Sequence, residues 1–569
     1  MLQGLNPQQE KAVRHYEGPL LIFAGAGSGK TRVITRRIAH LISQRGVAPS
    51  QILGLTFTNK AASEMSNRVD MLLPQSEGLA PPWLGTFHSL GAQFLRDYLD
   101  LWDGDRSRSF TIYDQTDQKK VLKRVMKKFD LSTEEFSPGL MAAVISDAKN
   151  DLIGPEDFRT ARAGEYEDYF LKRVARLYRA YQEELAEYNA LDFGDLIYIP
   201  VKILQGSNDV AEQWRNQFKF LLVDEYQDTN HAQYVFSRLL AENHGNICVV
   251  GDDDQAIFSW RGANVENILD FESDFPDAEI IRLSKNYRSK KPILRVARSL
   301  INHNNERQEK EIEADRGEGQ KVEVYSARDE KDEADYVVNE IKSLRRRGVP
   351  LEDVAVFYRV NTLSRVLEER LVRQNLNYEV IKGTRFYERK EIKDILAYLR
   401  LTCNPEDDVS LLRIINTPRR GIGSKTQQTL TDYANSCGMP IWKALNEMVE
   451  EEKDLSSRQS DKIQRFRQLI KKFMEWKEEL GPRELTEAML TELEYSAYLD
   501  KRFDELSADQ RRDNIQELLG QLQEVGADGD IHDFLELVAL ESDISQFEGN
   551  QDAVSLLTLH SAKGLEFDY

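Results

Sequence analysis

The sequence predicts an α/β protein with two parallel-sheet domains, each interrupted by a mostly helical insertion. Three observations predict it. Apolar, β-branched runs ending in small or polar residues recur at GPLLIFAGAG, QILGLTFT, WLGTFHSL, FKFLLVDEYQD, NICVVGDDDQ and EIIRLSKNYRS. These runs are continuous instead of alternating, the pattern of strands covered on both faces. Two long stretches, about 91 to 190 and about 384 to 548, are instead rich in Leu, Glu, Lys, Arg and Gln and read as helical.

The first two runs are joined by TRVITRRIAHLISQRG, in which Val33, Ile34, Ile38, Leu41 and Ile42 fall at helical spacing. A second set of elements opens with a strand at KVEVYSA (321 to 327). It continues with a helix near Glu333 to Arg347, the strand VAVFYRV, a helix near Leu363 to Arg373, and YEVIKG. The pattern resumes at AVSLLTLHSAKGLEF. The expected division is 1–90 and 191–280 for the first domain, interrupted by 91–190. The second domain takes 281–383 and 549–569, interrupted by 384–548.

A chain of 569 residues exceeds one core and suggests three to five domains at roughly 150 residues each. Its 41% apolar and 30% charged content is that of an ordinary globular protein. No apolar run approaches a membrane span, and MLQGLNPQQEKAV lacks a basic-then-apolar start, so the expected location is the cytoplasm. Cys248, Cys403 and Cys437 form no CxxC pair and support neither a disulfide framework nor a zinc site. The net charge of −20 argues against a polyanionic partner. Its distribution does not: Arg282 to Arg298 holds seven basic residues and no acidic one, whereas EMVEEEKD (447 to 454) reads as a solvated acidic face.

LLIFAGAGSGKT places a glycine-rich turn between a buried strand and a helix. Glycines let successive N–H groups face one anion, and the helix N-terminus adds a favourable dipole. Lys30 would reach the β- and γ-phosphates and Thr31 would hold Mg²⁺. The strict pattern has glycine where this chain has Ala24; Gly25, Ala26, Gly27, Ser28 and Gly29 complete the loop. FLLVDEYQDTN ends a second strand with Asp224 and Glu225. One carboxylate can enter the Mg²⁺ shell while the other deprotonates the attacking water. A DE pair at a strand end is, by itself, equally a solvated turn.

LNPQQ, AGAGSGKTR, LTFTNKAASEM, TFHSL, LDFGDL, VDEYQDTN, VVGDDDQAIFSWRGA, RLSKNYRS, VFYRVNTLSR and TLHSAKGLEF stand in the order found in superfamily 1 DNA helicases of the UvrD/PcrA/Rep group. The chain resembles that group over essentially its whole length. The resemblance implies two RecA-like P-loop NTPase domains and an ATP- and Mg²⁺-dependent helicase moving 3′ to 5′ on single-stranded DNA, in replication or repair. It implies that Gln9 reads the adenine edge, that Arg32 and Tyr287 sandwich the ring, that Gln255 senses the γ-phosphate, and that Arg288 is an arginine finger. Glu566 would approach the ribose. An arginine in cis neutralises charge on the transferred phosphoryl group, an effect of roughly 10³ to 10⁵ in rate.

On the strand-binding side the resemblance implies stacking platforms at Phe57, Phe193, Phe258 and Trp260, with Asn59, His88, Arg359 and His560 as further contacts. From the residues alone, each aromatic suits core packing as well as base stacking. Trp260 stands apart because SWRGA has left its strand. INTPRRGIGSKTQQTL resembles the group's GIG motif: Gly421 and Gly423 allow a tight turn and Ser424 caps a helix, leaving N–H groups for a duplex phosphate, with Arg420 and Lys425 as helpers. An ordinary helix start explains that segment equally.

Two departures stand out. Gly194 in LDFGDL replaces the group's usual acid, and the chain ends at EFDY, before a further motif that supplies another arginine at the γ-phosphate. The expectation is a truncated helicase in which ATP binding outlasts efficient turnover. A nucleotide-dependent DNA-binding module that does not unwind is the alternative. Expected partners are single-stranded DNA, single-strand/duplex junctions and replication or repair proteins, with no membrane and a monomeric or weakly dimeric state.

Overall fold

The computed structural model describes residues 2–73, 80–104, 106–132, 136–259, 262–304, 307–308, 310–381, 386–451, 455–524, 530–541 and 552–569. They fall into two compact units. The first comprises Met1–Ala24, Gly29–Leu283 and Arg389–Glu541; the second comprises Gly25–Ser28, Ser284–Glu388 and Ser542–Tyr569.

The first unit is organised by a six-stranded parallel sheet in the order Trp83–Thr86, Ile52–Thr56, Phe220–Val223, Ile247–Gly251, Leu20–Ala24, Glu279–Leu283. The continuous apolar runs have a simple cause. Successive side chains leave a strand on opposite faces, and here each face meets its own core. Leu21, Phe23, Leu53, Leu55, Leu221, Val223 and Val249 enter one core, whereas Leu20, Ile22, Ile52, Leu222, Cys248 and Val250 enter the other. Helix Lys30–Arg45 covers the second face through Val33, Ile34, Ile38 and Leu41 and stops at Gly46, whose φ of 70° suits glycine. Helices Phe87–Tyr98, Asp195–Gly206 and His231–Ala241 cover the first.

The stretch 91–190 is helical, with a separate core built on Gln115–Lys128, Pro138–Asn150 and Asp168–Glu187. It also holds the strand Thr111–Tyr113, which pairs in parallel with Ala190–Asp192. Helices from Lys390–Cys403 to Ile531–Glu541 fill the later segment and belong to the same unit. Polar side chains join the two helical regions: Tyr113 donates to Asp407 at 2.6 Å, Asn404 to Thr111 at 3.0 Å, and Arg400 and Lys393 pair with Asp117 and Asp114 at 3.0 Å each.

In the second unit, Ala355–Tyr358 and Tyr378–Val380 flank Val554–Thr558 in a three-stranded parallel sheet, packed against helices Glu330–Arg346 and Ser364–Arg373. Lys285–Lys290 pairs with Glu313–Arg316, and the basic run continues along helix Lys291–Ile301. The strand expected at 321–327 does not form. Strand geometry persists only where a neighbouring backbone accepts and donates hydrogen bonds, and this stretch has none among the described residues. Val324 is 94% exposed, so its alternating pattern reflects no buried face.

Candidate active site

The strand Leu20–Ala24 delivers the glycine-rich loop. Ala24 is fully buried as the last residue of that strand, so the missing glycine falls where a methyl group is accommodated. Gly27 and Gly29 have φ of 66° and 86°, the left-handed region that glycine adopts without strain. A Cβ at Gly29 would lie 2.9 Å from Gln9 Nε2, so a larger residue would also crowd that side chain. Helix Lys30–Arg45 starts with Gly29 as its N-cap and no side chain capping it, an end suited to an anion. Gln9 is buried, its Oε1 accepting from Asn6 N at 3.1 Å in a capping box.

Asp224 and Glu225 follow Phe220–Val223 directly, and Glu225 has φ 52°, a left-handed turn unusual for glutamate. Lys30 Nζ donates to Glu225 Oε2 at 2.9 Å and to Gln255 Oε1 at 3.2 Å. Burial works against the Lys30 charge, yet Glu225, Asp224 and Asp252 together hold its pKa above the usual lysine value. Asp224 is buried, and desolvation followed by the Glu225 charge pushes its carboxyl up to about 7. The donor set suits a polyphosphate with a divalent cation: left-handed glycines, an uncapped helix start, a lysine and two carboxylates. Among the described residues no group of three or more His, Cys, Asp or Glu forms a metal cluster. A Mg²⁺ ion held by Thr31 and Asp224 would draw on water and phosphate for further oxygens, as that ion generally does.

The other residues expected to meet the nucleotide are described unit by unit. Arg32 is exposed in the first. In the second, Arg288 Nε pairs with Glu566 at 2.5 Å, and Lys285 Nζ lies 5.5 Å from the centre of the half-buried Tyr287 ring.

Of the residues expected to contact a single strand, Phe57 and Phe258 are half-buried and stack on each other, with centroids 5.2 Å apart and planes 15° from parallel. His88 meets Phe193 edge-on at 5.6 Å. Asn59 opens helix Asn59–Leu72, capped by Thr58. Arg359 is exposed after Ala355–Tyr358, and the half-buried His560 follows Val554–Thr558. Trp260 lies outside the described residues.

The GIG segment differs from expectation in two respects. Gly423, not Ser424, is the N-cap of helix Ser424–Cys437, with φ −79°, so only Gly421 at φ 75° needs glycine. Ser424 already occupies the first helical position, where its hydroxyl no longer serves as the cap. Arg420 is turned inward, donating to Ile414 O at 2.9 Å, Thr417 O at 3.1 Å and the Tyr398 hydroxyl; Lys425 is exposed.

Two family models divide the chain: the UvrD/REP helicase N-terminal domain matches residues 5–276 and the UvrD-like helicase C-terminal domain matches 281–569. The chain belongs to the UvrD/REP helicase family. Among curated relatives of this helicase, the ATP-dependent DNA helicase PcrA of Bacillus subtilis (strain 168) is 42% identical over 580 residues, spanning 100% of this chain and 77% of its own length. The PcrA proteins of Leuconostoc citreum and Staphylococcus aureus (strain NCTC 8325 / PS 47) are each 41% identical, over 100% of this chain and 76% and 77% of theirs. No helix among the described residues of the helicase is long and apolar enough to cross a membrane.

Sequence reasoning passed over two residues of this helicase. Gln227, fully buried, donates to Glu225 Oε2 at 2.7 Å. Lys149 bridges Asp192 at 2.6 Å and Asp195 at 2.8 Å, with its side chain wholly buried, and so clamps the loop that carries Phe193. A Cβ at Gly194 would come within 2.7 Å of Lys149 Cδ, so an acid there requires the lysine stem to move. Gln227 falls within the VDEYQDTN motif, where only its acidic neighbours drew a role, and Lys149 sits in ISDAKN, which reads as plain helix.

Proposed function

We propose that this chain is an ATP-dependent DNA helicase and translocase that moves 3′ to 5′ on single-stranded DNA in replication or repair. The convergence of Lys30, Glu225 and Gln255 beside the glycine loop carries the reading, together with full-length similarity to proteins named ATP-dependent DNA helicase PcrA. The proposed site binds Mg²⁺–ATP, which supplies the phosphoryl group transferred to water.

Lys30 neutralises charge on the β- and γ-phosphates, and Thr31 with Asp224 holds the cation. Glu225 takes the proton from the attacking water. Gln255 reports whether the γ-phosphate is present, and Arg288 of the second unit completes charge neutralisation. Gln9, Arg32, Tyr287 and Glu566 recognise the nucleoside. Single-stranded DNA lies on Phe57, Phe193, Phe258 and Trp260, with Asn59, His88, Arg359 and His560 as further contacts. Gly421 and Gly423 face duplex phosphate at the junction.

The six-part division at 90, 190, 280, 383 and 548 belongs to the same proposal, as do a cytoplasmic location and a monomeric or weakly dimeric state. ATPase rates with and without single-stranded DNA test the reading, alongside unwinding of duplexes with 3′ or 5′ tails. DNA-stimulated turnover with 3′-tailed unwinding is expected. ATP-dependent gripping without unwinding, in these 569 residues and in a longer chain alike, would establish a binding module instead.

A further inference from the structure

Five hydrogen bonds close a ring at the tips of two neighbouring strands. Lys30 Nζ donates to Glu225 Oε2 at 2.9 Å, and Gln227 Nε2 donates to the same oxygen at 2.7 Å. Gln227 Oε1 accepts from the backbone N–H of Asp252 at 2.9 Å. Asp252 Oδ2 accepts from Gln255 Nε2 at 2.5 Å, and Gln255 Oε1 accepts from Lys30 Nζ at 3.2 Å. Gln227 therefore ties the Phe220–Val223 tip, with Glu225, to the Ile247–Gly251 tip, with Gln255, on the side opposite the Lys30 bridge.

The surroundings leave that amide little freedom. Gln227 is 0% exposed, its Nε2 also reaches Asp228 Oδ2 at 3.1 Å, and a Cβ at Gly251 would lie 2.6 Å from its Oε1. The amide has a donor and an acceptor at fixed ends, so it can hold a carboxylate on one side and a backbone N–H on the other. A carboxylate at 227 supplies only acceptors, and an aliphatic chain supplies neither.

We infer that Gln227 is a positioning residue that holds the Glu225 carboxylate in register with the Gln255 loop. The inference rests on the proposed roles of Glu225 as base and Gln255 as sensor. When Lys30 turns to phosphate, Gln227 Nε2 continues to orient Glu225 Oε2, and its Oε1 keeps the 252–255 turn from drifting. Gln227 makes and breaks no bond in hydrolysis and does not touch the nucleotide.

The test compares Gln227→Leu, Gln227→Glu and Glu225→Gln with the unaltered chain. Gln227→Leu should keep the Kd for a non-hydrolysable ATP analogue within about threefold while DNA-stimulated kcat falls about 10²-fold, as expected for loss of orientation without loss of ground-state binding. In the nucleotide-free protein, deuterium exchange should accelerate at 252–256 and stay unchanged along 20–24 and 52–56. Gln227→Glu retains an acceptor for Asp252 N–H, so exchange at 252–256 should stay near that of the unaltered chain even as kcat falls. A Gln227→Leu protein with unaltered exchange at 252–256 overturns the inference. So does exchange that accelerates across the whole sheet in Gln227→Leu together with unaltered kcat in Gln227→Glu. Glu225→Gln separates the two levels: normal hydrolysis by it removes the assignment of the base, whereas an inactive Glu225→Gln beside a fully active Gln227→Leu removes only the role of Gln227.

Discussion

Glu225 shows how much one dihedral can decide. With φ at 52°, its carboxylate turns toward Lys30, while Asp224 stays buried with a carboxyl held up at about 7. Two adjacent acids in an ordinary strand would leave on opposite faces. The left-handed turn instead sets Glu225 against Lys30, which suits the proposed division between a buried cation ligand and a more accessible base. Glu225→Gln is expected to keep ATP bound while hydrolysis falls by about 10²- to 10⁴-fold, the usual contribution of a general base. Equilibrium binding of labelled ATP and single-turnover hydrolysis measure the two halves separately. The pair itself was legible in the sequence, because VDEYQD ends a continuous apolar run. Gln227 was not, since its role depends on Asp252 from another strand, and no spacing rule links residues that far apart.

At the scale of elements, buried charge organises the helical regions. Lys149 at the end of helix Pro138–Asn150 joins Asp192 and Asp195 across the start of helix Asp195–Gly206, with the Tyr181 hydroxyl 2.9 Å from Asp192 Oδ2. Lys149→Ala leaves two buried carboxylates without their cation and should cost about 3–5 kcal/mol. Chemical denaturation measures that loss, and single-strand binding should weaken with it if Phe193 contacts DNA. Asp408 gives a pH-dependent counterpart. Burial, outweighing Arg124 at 3.2 Å, raises its carboxyl to about 7. A carboxyl raised in the folded state binds its proton more tightly there, so stability is greatest below the unfolded value near 4 and declines as pH rises toward 7. Asp408→Asn should therefore gain melting temperature relative to the parent as pH moves from 5 to 8. A constant difference across that range would sink the assignment. The helical character of both segments was legible from composition. The stretch 321–327 was misread because alternation specifies a strand only where another strand pairs with it.

For the whole molecule, total charge is a poor guide to its proposed partner. The chain carries −20 overall, yet Lys285, Lys291 and Arg295 cluster in one short region of the second unit, tempered by Asp315 and Glu318. Binding to single-stranded DNA should weaken with salt at a slope of about −0.7 per phosphate contacted in a plot of log K against log salt concentration. Titration of a labelled oligonucleotide at several salt concentrations gives the slope, and a value near zero would exclude a phosphate-tracking groove.

The order of strands in the six-stranded sheet has a consequence for how the protein is made. Leu20–Ala24 is flanked by Ile247–Gly251 and Glu279–Leu283, both translated more than two hundred residues later. At roughly 5–20 residues per second, the ribosome exposes LLIFA for on the order of tens of seconds before either neighbour emerges. A nascent chain halted at residue 240 should consequently be bound by holdase chaperones and cut readily by protease, and one halted well beyond residue 283, with that segment clear of the exit tunnel, much less so.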